Sequence, residues 1–251
     1  MRNKDRIRAL LKAIETGDPD AIAVVNQAKY IQHNPQTHEG SEGLEALFAR
    51  LAKTNPRVNV VRAFEDGDFV FGHTEYDFST RRIGFEVFRF EDGFAVEHWD
   101  NIQPRLGPNG SGHSMVDGPT EAEDLDRTED NRARVRAFVE EVLIGRAFDR
   151  IAEFVRVDLI EHKPHLTDGV SALRTALDVP EGAAGAVRYD RLHRVLAEGN
   201  FVLAVSEGEK DGNHAALYDL FRLSDGRIVE HWDTVEKVAP RSEWKNENGK
   251  F

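Results

Sequence analysis

The stretch Phe85-Glu86-Val87-Phe88-Arg89-Phe90-Glu91-Asp92-Gly93-Phe94-Ala95-Val96-Glu97-His98-Trp99-Asp100 returns further along the chain as Tyr218-Asp219-Leu220-Phe221-Arg222-Leu223-Ser224-Asp225-Gly226-Arg227-Ile228-Val229-Glu230-His231-Trp232-Asp233. Nine of the sixteen positions are identical, among them the whole phrase Glu-His-Trp-Asp. A second pair of segments matches in the same way: Tyr30-Ile31-Gln32-His33-Asn34-Pro35 against Leu159-Ile160-Glu161-His162-Lys163-Pro164. His33 and His162 are 162 − 33 = 129 positions apart, and His98 and His231 are 231 − 98 = 133 apart, so the copies differ by only a few inserted residues. An internal repeat sets the fold unit. This one predicts a single domain in tandem duplication, with each copy of about 120 residues long enough to bury its own core.

Each copy reads as helices followed by an antiparallel meander, an α+β order rather than alternating βαβ. Ile7, Leu10, Leu11 and Ile14 recur at helical spacing before Gly17, and Leu44, Leu47, Phe48 and Leu51 form a second apolar stripe. Between them, Asp18-Pro19-Asp20 opens a helix expected to carry Tyr30 and His33 near its end. After Pro56 come four strand-like runs, 58–64, 69–76, 83–90 and 94–102, with Asp66-Gly67 and Asp92-Gly93 as hairpin turns. The second copy repeats the plan, its strands falling at 192–196, 201–207, 216–223 and 227–235. The expected boundaries are a first domain over 1–106, a Gly- and Pro-rich linker over 107–127, a second domain over 128–240 and a loosely held polar tail over 241–251.

Composition excludes several classes. Thirty-three basic against 45 acidic residues leave a net charge of −12, which repels nucleic acid. There is no cysteine, so neither disulfides nor thiolate chemistry arise. No run of about 18 apolar residues is present, and the amino-terminal residues form an amphipathic pattern, so the expectation is a cytoplasmic protein that does not engage a membrane. The histidine spacings match no helical His-Glu-x-x-His arrangement, no phosphate loop follows a strand, and no Gly-x-Ser-x-Gly elbow occurs; neither a metal nor an organic cofactor is expected.

Alternation along a strand puts Phe94, Val96, His98, Asp100 and Ile102 on one face, and Glu97 and Trp99 on the other. The first face is apolar, with an imidazole and a carboxylate about 6.6 Å apart along the strand, the pattern of a small-molecule pocket. Desolvation, or a carboxylate fixing the tautomer, makes such a pair a general base. His33 and Tyr30 are expected on the opposite wall, donating to a developing enolate oxygen. His98, Asp100, His33 and Tyr30 are thus the candidate catalytic residues, with His73, Glu86 and Trp99 as candidate substrate contacts. Their second-copy equivalents are His162, Asp219, His231 and Asp233. The same motif also reads as a hydrogen-bond network serving only the fold. Trp99 and Trp232 suit packing, for instance where two sheets meet.

Tyr-Ile-Gln-His-Asn-Pro after two helices, Gly40, and a final hairpin ending Phe-Arg-x-x-x-Gly-x-x-Val-Glu-His-Trp-Asp resemble the SnoaL-like polyketide cyclase group of the nuclear-transport-factor-2-like superfamily. The resemblance implies, for both halves, cone-shaped domains in which a curved antiparallel sheet wraps on helices and leaves a pocket. It also implies a cofactor-independent cyclase, isomerase, lyase-type dehydratase or epoxide hydrolase, or a member that only binds a ligand. The ligand expected is a small apolar carbonyl compound. The first copy keeps more polar candidates: Tyr30 and Asn34 become Leu159 and Lys163, and His73 becomes Val205. It is therefore expected to work, with the second copy as partner in an intramolecular pseudo-dimer that leaves room for further homo-oligomerisation.

Overall fold

A computed structural model describes residues 1–251, Ser41 by its backbone alone. The chain forms two compact units: Met1–Arg105 together with Ala239–Phe251, and Leu106–Val238. The first contains α1 (Asn3–Thr16), α2 (Pro19–Ile22), β1 (Ile31–Gln32), α3 (Gly40–Ala52), β2 (Arg57–Asp66), β3 (Phe69–Asp77), β4 (Arg81–Glu91) and β5 (Phe94–Pro104). The second contains α4 (Thr128–Ala137), continued by a π-helical turn over Phe138–Ile144, then α5 (Ile151–Phe154), β6 (Val155–Glu161), α6 (Val170–Leu177), β7 (Val187–Glu198), β8 (Phe201–Lys210), β9 (Asn213–Ser224) and β10 (Arg227–Lys237). Both are α+β, and their sheets share one topology: β1-β5-β4-β3-β2 and β6-β10-β9-β8-β7.

The meander is antiparallel throughout, and only the first strand of each unit runs parallel to the last. Asp92-Gly93 and Asp225-Gly226 both have positive φ, as a two-residue hairpin turn requires. In the first unit Ile7, Leu10 and Leu11 of α1 and Leu44 of α3 pack with Val58, Val70, Tyr76, Phe88 and Phe90. In the second, the stripe Val135, Phe138, Val139 and Val142 meets Val202, Ala204, Leu217 and Phe221.

Three details depart from the sequence reading. The helix after Gly17 spans only four residues, and Tyr30 and His33 flank the short strand β1, whose Gln32 pairs with His98. The alternation along β5 breaks at Val96, where Arg89 faces Glu97 but Phe90 faces Ala95. That bulge turns Ala95 into the apolar cluster and leaves Phe94 43% exposed. The second copy bulges at the matching Val229. Finally, the polar tail is held: Asn246 and Lys250 are buried, and the segment belongs to the first unit.

Candidate functional site

Below the bulge the alternation holds. His98, Asp100 and Ile102 of β5 turn inward with Glu86 and Phe88 of β4 and Tyr76 of β3, and line a cavity of about 400 Å³ in the first unit. Leu10, Leu11 and Ile14 of α1 and Leu44, Leu47, Phe48 and Leu51 of α3 supply apolar walls, while Tyr30, Gln32 and Asn34 close the polar end. An apolar cavity with a few convergent polar groups is the usual form of a ligand pocket. A second hollow of about 490 Å³ lies between Lys12, Glu15, Arg57, Glu75 and Arg81, but it has no apolar wall of this kind and these charges already pair with one another.

The imidazole of His98 is stacked 4.3 Å from the ring of Phe88, with Tyr30 parallel on its far side at 6.4 Å. Gln32 Oε1 accepts from the backbone N–H of Asn34 at 2.9 Å, which fixes the amide with its oxygen toward His98. His98 therefore donates through Nδ1 to Gln32 Oε1 at 3.0 Å, and its Nε2 lies 2.8 Å from Glu86 Oε2. That last contact needs one proton, carried by imidazole or carboxyl. The other oxygen of Glu86 accepts from Tyr76 at 2.8 Å. Gly84 leaves room for this pair, since a Cβ there would lie 2.6 Å from Glu86 Oε1 and 2.7 Å from the Tyr76 ring. Burial, reinforced by Glu86 and Asp100, pushes the Tyr30 phenol well above its usual range, so it stays protonated with an O–H to offer as a hydrogen bond.

Asp100 accepts from Asn34 Nδ2 at 2.6 Å and faces Lys250 Nζ at 3.3 Å. Glu86, His98 and Asp100 place one ligand atom each within 4.8 Å of the others. A divalent cation there would have to break the Glu86–His98 hydrogen bond and sit beside the Lys250 ammonium. The chemistry of this group therefore favours proton transfer over metal ligation.

His33, His73 and Trp99 do not line the pocket, which corrects the expectation that they share it. Residues 97 and 99 project from the other side of β5, where His33 Nε2 meets Glu97 Oε1 at 2.9 Å and stacks on Trp99 at 4.6 Å. Arg89 donates to the second oxygen of Glu97 at 2.6 Å. Although burial opposes it, these two partners hold the Glu97 carboxyl below its usual range. His73 is buried against Phe85 and Arg62, on the strand face that alternation assigns to Phe85 rather than Glu86.

The second unit rebuilds both sides. Arg222, Glu230, His162 and Trp232 reproduce the outer cluster, with contacts of 2.6, 2.9 and 4.5 Å. On the inner side His231 Nε2 meets Asp219 at 2.9 Å, but its Nδ1 meets the carboxylate of Glu161 at 3.0 Å, where the first unit has the neutral Gln32. Burial opposes the charge, yet two flanking carboxylates raise the His231 pKa to about 10. Tyr189 donates to Asp219, and Lys163 pairs with Asp233 at 3.0 Å. Burial raises the Asp233 carboxyl, an effect Lys163 and His231 oppose. His231 is thus held in its charged form between two carboxylates, while His98 has one carboxylate and one neutral amide as neighbours.

Tyr76, Gln32 and Lys250 were not singled out by sequence reasoning. The exchange of Gln32 for Glu161 was visible in the matched segments, but nothing in the sequence marked that position as touching a histidine.

The first unit is an α+β domain with a histidine–carboxylate pair lining an otherwise largely apolar pocket. Residues 7–98 match the family model of SnoaL-like domains. No curated protein matches the chain in sequence. Solved structures similar to it include a candidate ketosteroid isomerase from Kribbella flavida, 17% identical, TM-score 0.39, covering 45% of this chain and 83% of its own. IdmH from Streptomyces antibioticus, a candidate polyketide cyclase, is 18% identical, TM-score 0.37, covering 41% and 93%. An LEH-like epoxide hydrolase from M. tuberculosis is 22% identical, TM-score 0.35, covering 43% and 84%. Likeness at this level says nothing about the reaction. Among the described residues no helix is long and apolar enough to cross a membrane.

Proposed function

We propose that the first unit is an acid–base catalyst of the cyclase or isomerase type, acting on a small apolar carbonyl compound without an organic cofactor. The observation that carries this reading is the pocket itself: its apolar walls end at Tyr30, Glu86 and His98, a proton donor beside a pair that shares one proton. A carbonyl oxygen seated near Tyr30 brings an adjacent C–H toward the Glu86–His98 pair. The pair takes that proton, the C–H electrons move onto the carbonyl oxygen, and the enolate is held by the phenol. Return of the proton at another carbon gives isomerisation; attack of the enolate carbon on a second carbonyl closes a ring, and the pair protonates the new alkoxide. Asp100 is already engaged by Asn34 and Lys250, so it is assigned to positioning and not to the proton transfer.

One observation favours a second reading, a protein that only binds its ligand: the His98 and Asp100 side chains are hydrogen-bonded within the protein. An epoxide-opening enzyme keeps a foothold because both carboxylates, Glu86 and Asp100, face the cavity. The test is solvent-deuterium incorporation next to the carbonyl of 2-tetralone, 1-indanone and benzoylacetone. The wild-type protein is expected to exceed buffer, and His98→Ala to fall by about 10²-fold or more. Binding without exchange above buffer would replace this reading with the ligand-binding one.

A further inference from the structure

The register of each sheet sets two carboxylates directly across from one another: Glu86 opposite Asp100, and Asp219 opposite Asp233. Like charges so placed repel, the more so when buried, and a buried carboxylate needs a partner. Both units meet that need with one ammonium on the aspartate, by different routes. In the second unit it is Lys163, one residue beyond His162, at 3.0 Å from Asp233. The matching position in the first unit is Asn34, which cannot supply charge. There the ammonium comes from Lys250, the penultimate residue of the chain, with its side chain 2% exposed.

The segment that delivers it is anchored along its length. Lys245 N–H donates to Pro35 O, Asn246 Nδ2 to Asn34 O and Thr37 O, and Asn248 Nδ2 to Gln32 O, while His33 Nδ1 donates to Gly249 O. Residues 109–117 treat the second unit alike: Asn109 Nδ2 donates to Glu161 O at 2.6 Å, and His162 Nδ1 to Ser114 O at 2.7 Å. Gln32 and Glu161 are equivalent, as are His33 and His162, and each strap uses an Asn-Gly pair, Asn248-Gly249 or Asn109-Gly110. Each unit is thus closed by the segment following the other unit's last strand.

We propose that the carboxyl-terminal strap is a working part of the first pocket and that Lys250 is a positioning residue, fixing the Asp100 carboxylate against Asn34 as Lys163 fixes Asp233. The assignment concerns how the pocket is built and holds whether or not the pocket is catalytic; only its effect on turnover rests on the reading above. Loss of the ammonium leaves Asp100 facing Glu86 with the Asn34 amide still bonded to it but no positive charge, and the polar end of the pocket loses its shape.

The test uses full-length Lys250→Met, Lys250→Arg and the exchange variant Asn34→Lys/Lys250→Met, read by the ¹³C carboxylate signal of Asp100 and by affinity for 2-tetralone. Lys250→Met is expected to shift the Asp100 signal and weaken 2-tetralone about tenfold, the scale of one lost charge contact. Lys250→Arg should stay within about threefold of wild type, and the exchange variant should recover both readouts because it transplants the second unit's arrangement. An unchanged signal and affinity in Lys250→Met would overturn the proposal. So would a folded exchange variant that recovers neither, which also decides the matter if Lys250→Met fails to fold. Should 2-tetralone not bind the wild-type protein, that counts against the function proposed above, and the Asp100 signal alone judges the role of Lys250.

Discussion

At His98 and His231 one atom's difference in a neighbour separates two chemistries. Both imidazoles lie between an acceptor on β1 or β6 and a carboxylate on β4 or β9. With a glutamine amide as the first acceptor, one proton is left to pass between His98 and Glu86; with Glu161 in its place, His231 stays charged. A histidine whose folded pKa is raised from 6.5 to about 10 stabilises the fold fully below about 6.5, and that contribution is lost as pH rises through about 10. The urea midpoint of the wild-type protein should therefore drop between pH 6.5 and 10 more than that of Glu161→Gln, and the His231 ring signals should remain those of an imidazolium at pH 8. At Gly84 the prediction is steric. Gly84→Ala drives a methyl into the Tyr76–Glu86 pair and should cost about 1–3 kcal/mol of stability, measured by urea unfolding, because the Glu86 carboxylate can move aside only by giving up its buried hydrogen bonds to Tyr76 and His98.

At the scale of elements, the repeat, the helix stripes and the strand order were legible because apolar periodicity and Asp-Gly turns are local. The sharing of one strand face by His98 and Asp100 was read from the same local alternation. Phe94 was misplaced because a bulge is set by pairing across strands, which no single strand records; the extra residue, Val96, looks like any other apolar residue. His33 was misplaced because it flanks a two-residue strand held by a parallel pairing with a segment 66 positions away, Gln32 with His98. Once that strand is known, the doubled phrase divides cleanly: glutamate and tryptophan build a structural cluster with His33 and Arg89, while histidine and aspartate face the pocket. His33→Ala should then destabilise the first unit by about 3–5 kcal/mol, since it strips a partner from the half-buried Glu97 and a stacked ring from Trp99. Deuterium exchange next to the carbonyl of 2-tetralone, measured where the variant is still folded, should remain within about threefold of wild type.

For the molecule as a whole, the two matching halves differ at their polar centres. The second unit keeps the frame and both networks and adds ion pairs among them, Lys163–Asp233 and Glu161–His231–Asp219. The first keeps a cavity and borrows its ammonium from the end of the chain. Deleting residues 239–251 should accordingly raise hydrogen exchange at residues 30–40, where the strap is anchored, and leave Leu106–Val238 as protected as before. The tail looked loosely held in the sequence because its composition is polar and its partners in the first unit are 150 or more positions away.

The measurement closest to the central claim is the rate of solvent-deuterium incorporation into 2-tetralone by Gln32→Glu and by Glu161→Gln, each beside the wild-type protein. If the first pocket works because a neutral amide leaves one proton mobile between His98 and Glu86, Gln32→Glu loses at least about tenfold in rate with its fold intact, and Glu161→Gln exchanges like the wild type. A Gln32→Glu protein as fast as the wild type, or a Glu161→Gln protein that loses the activity, would contradict the account.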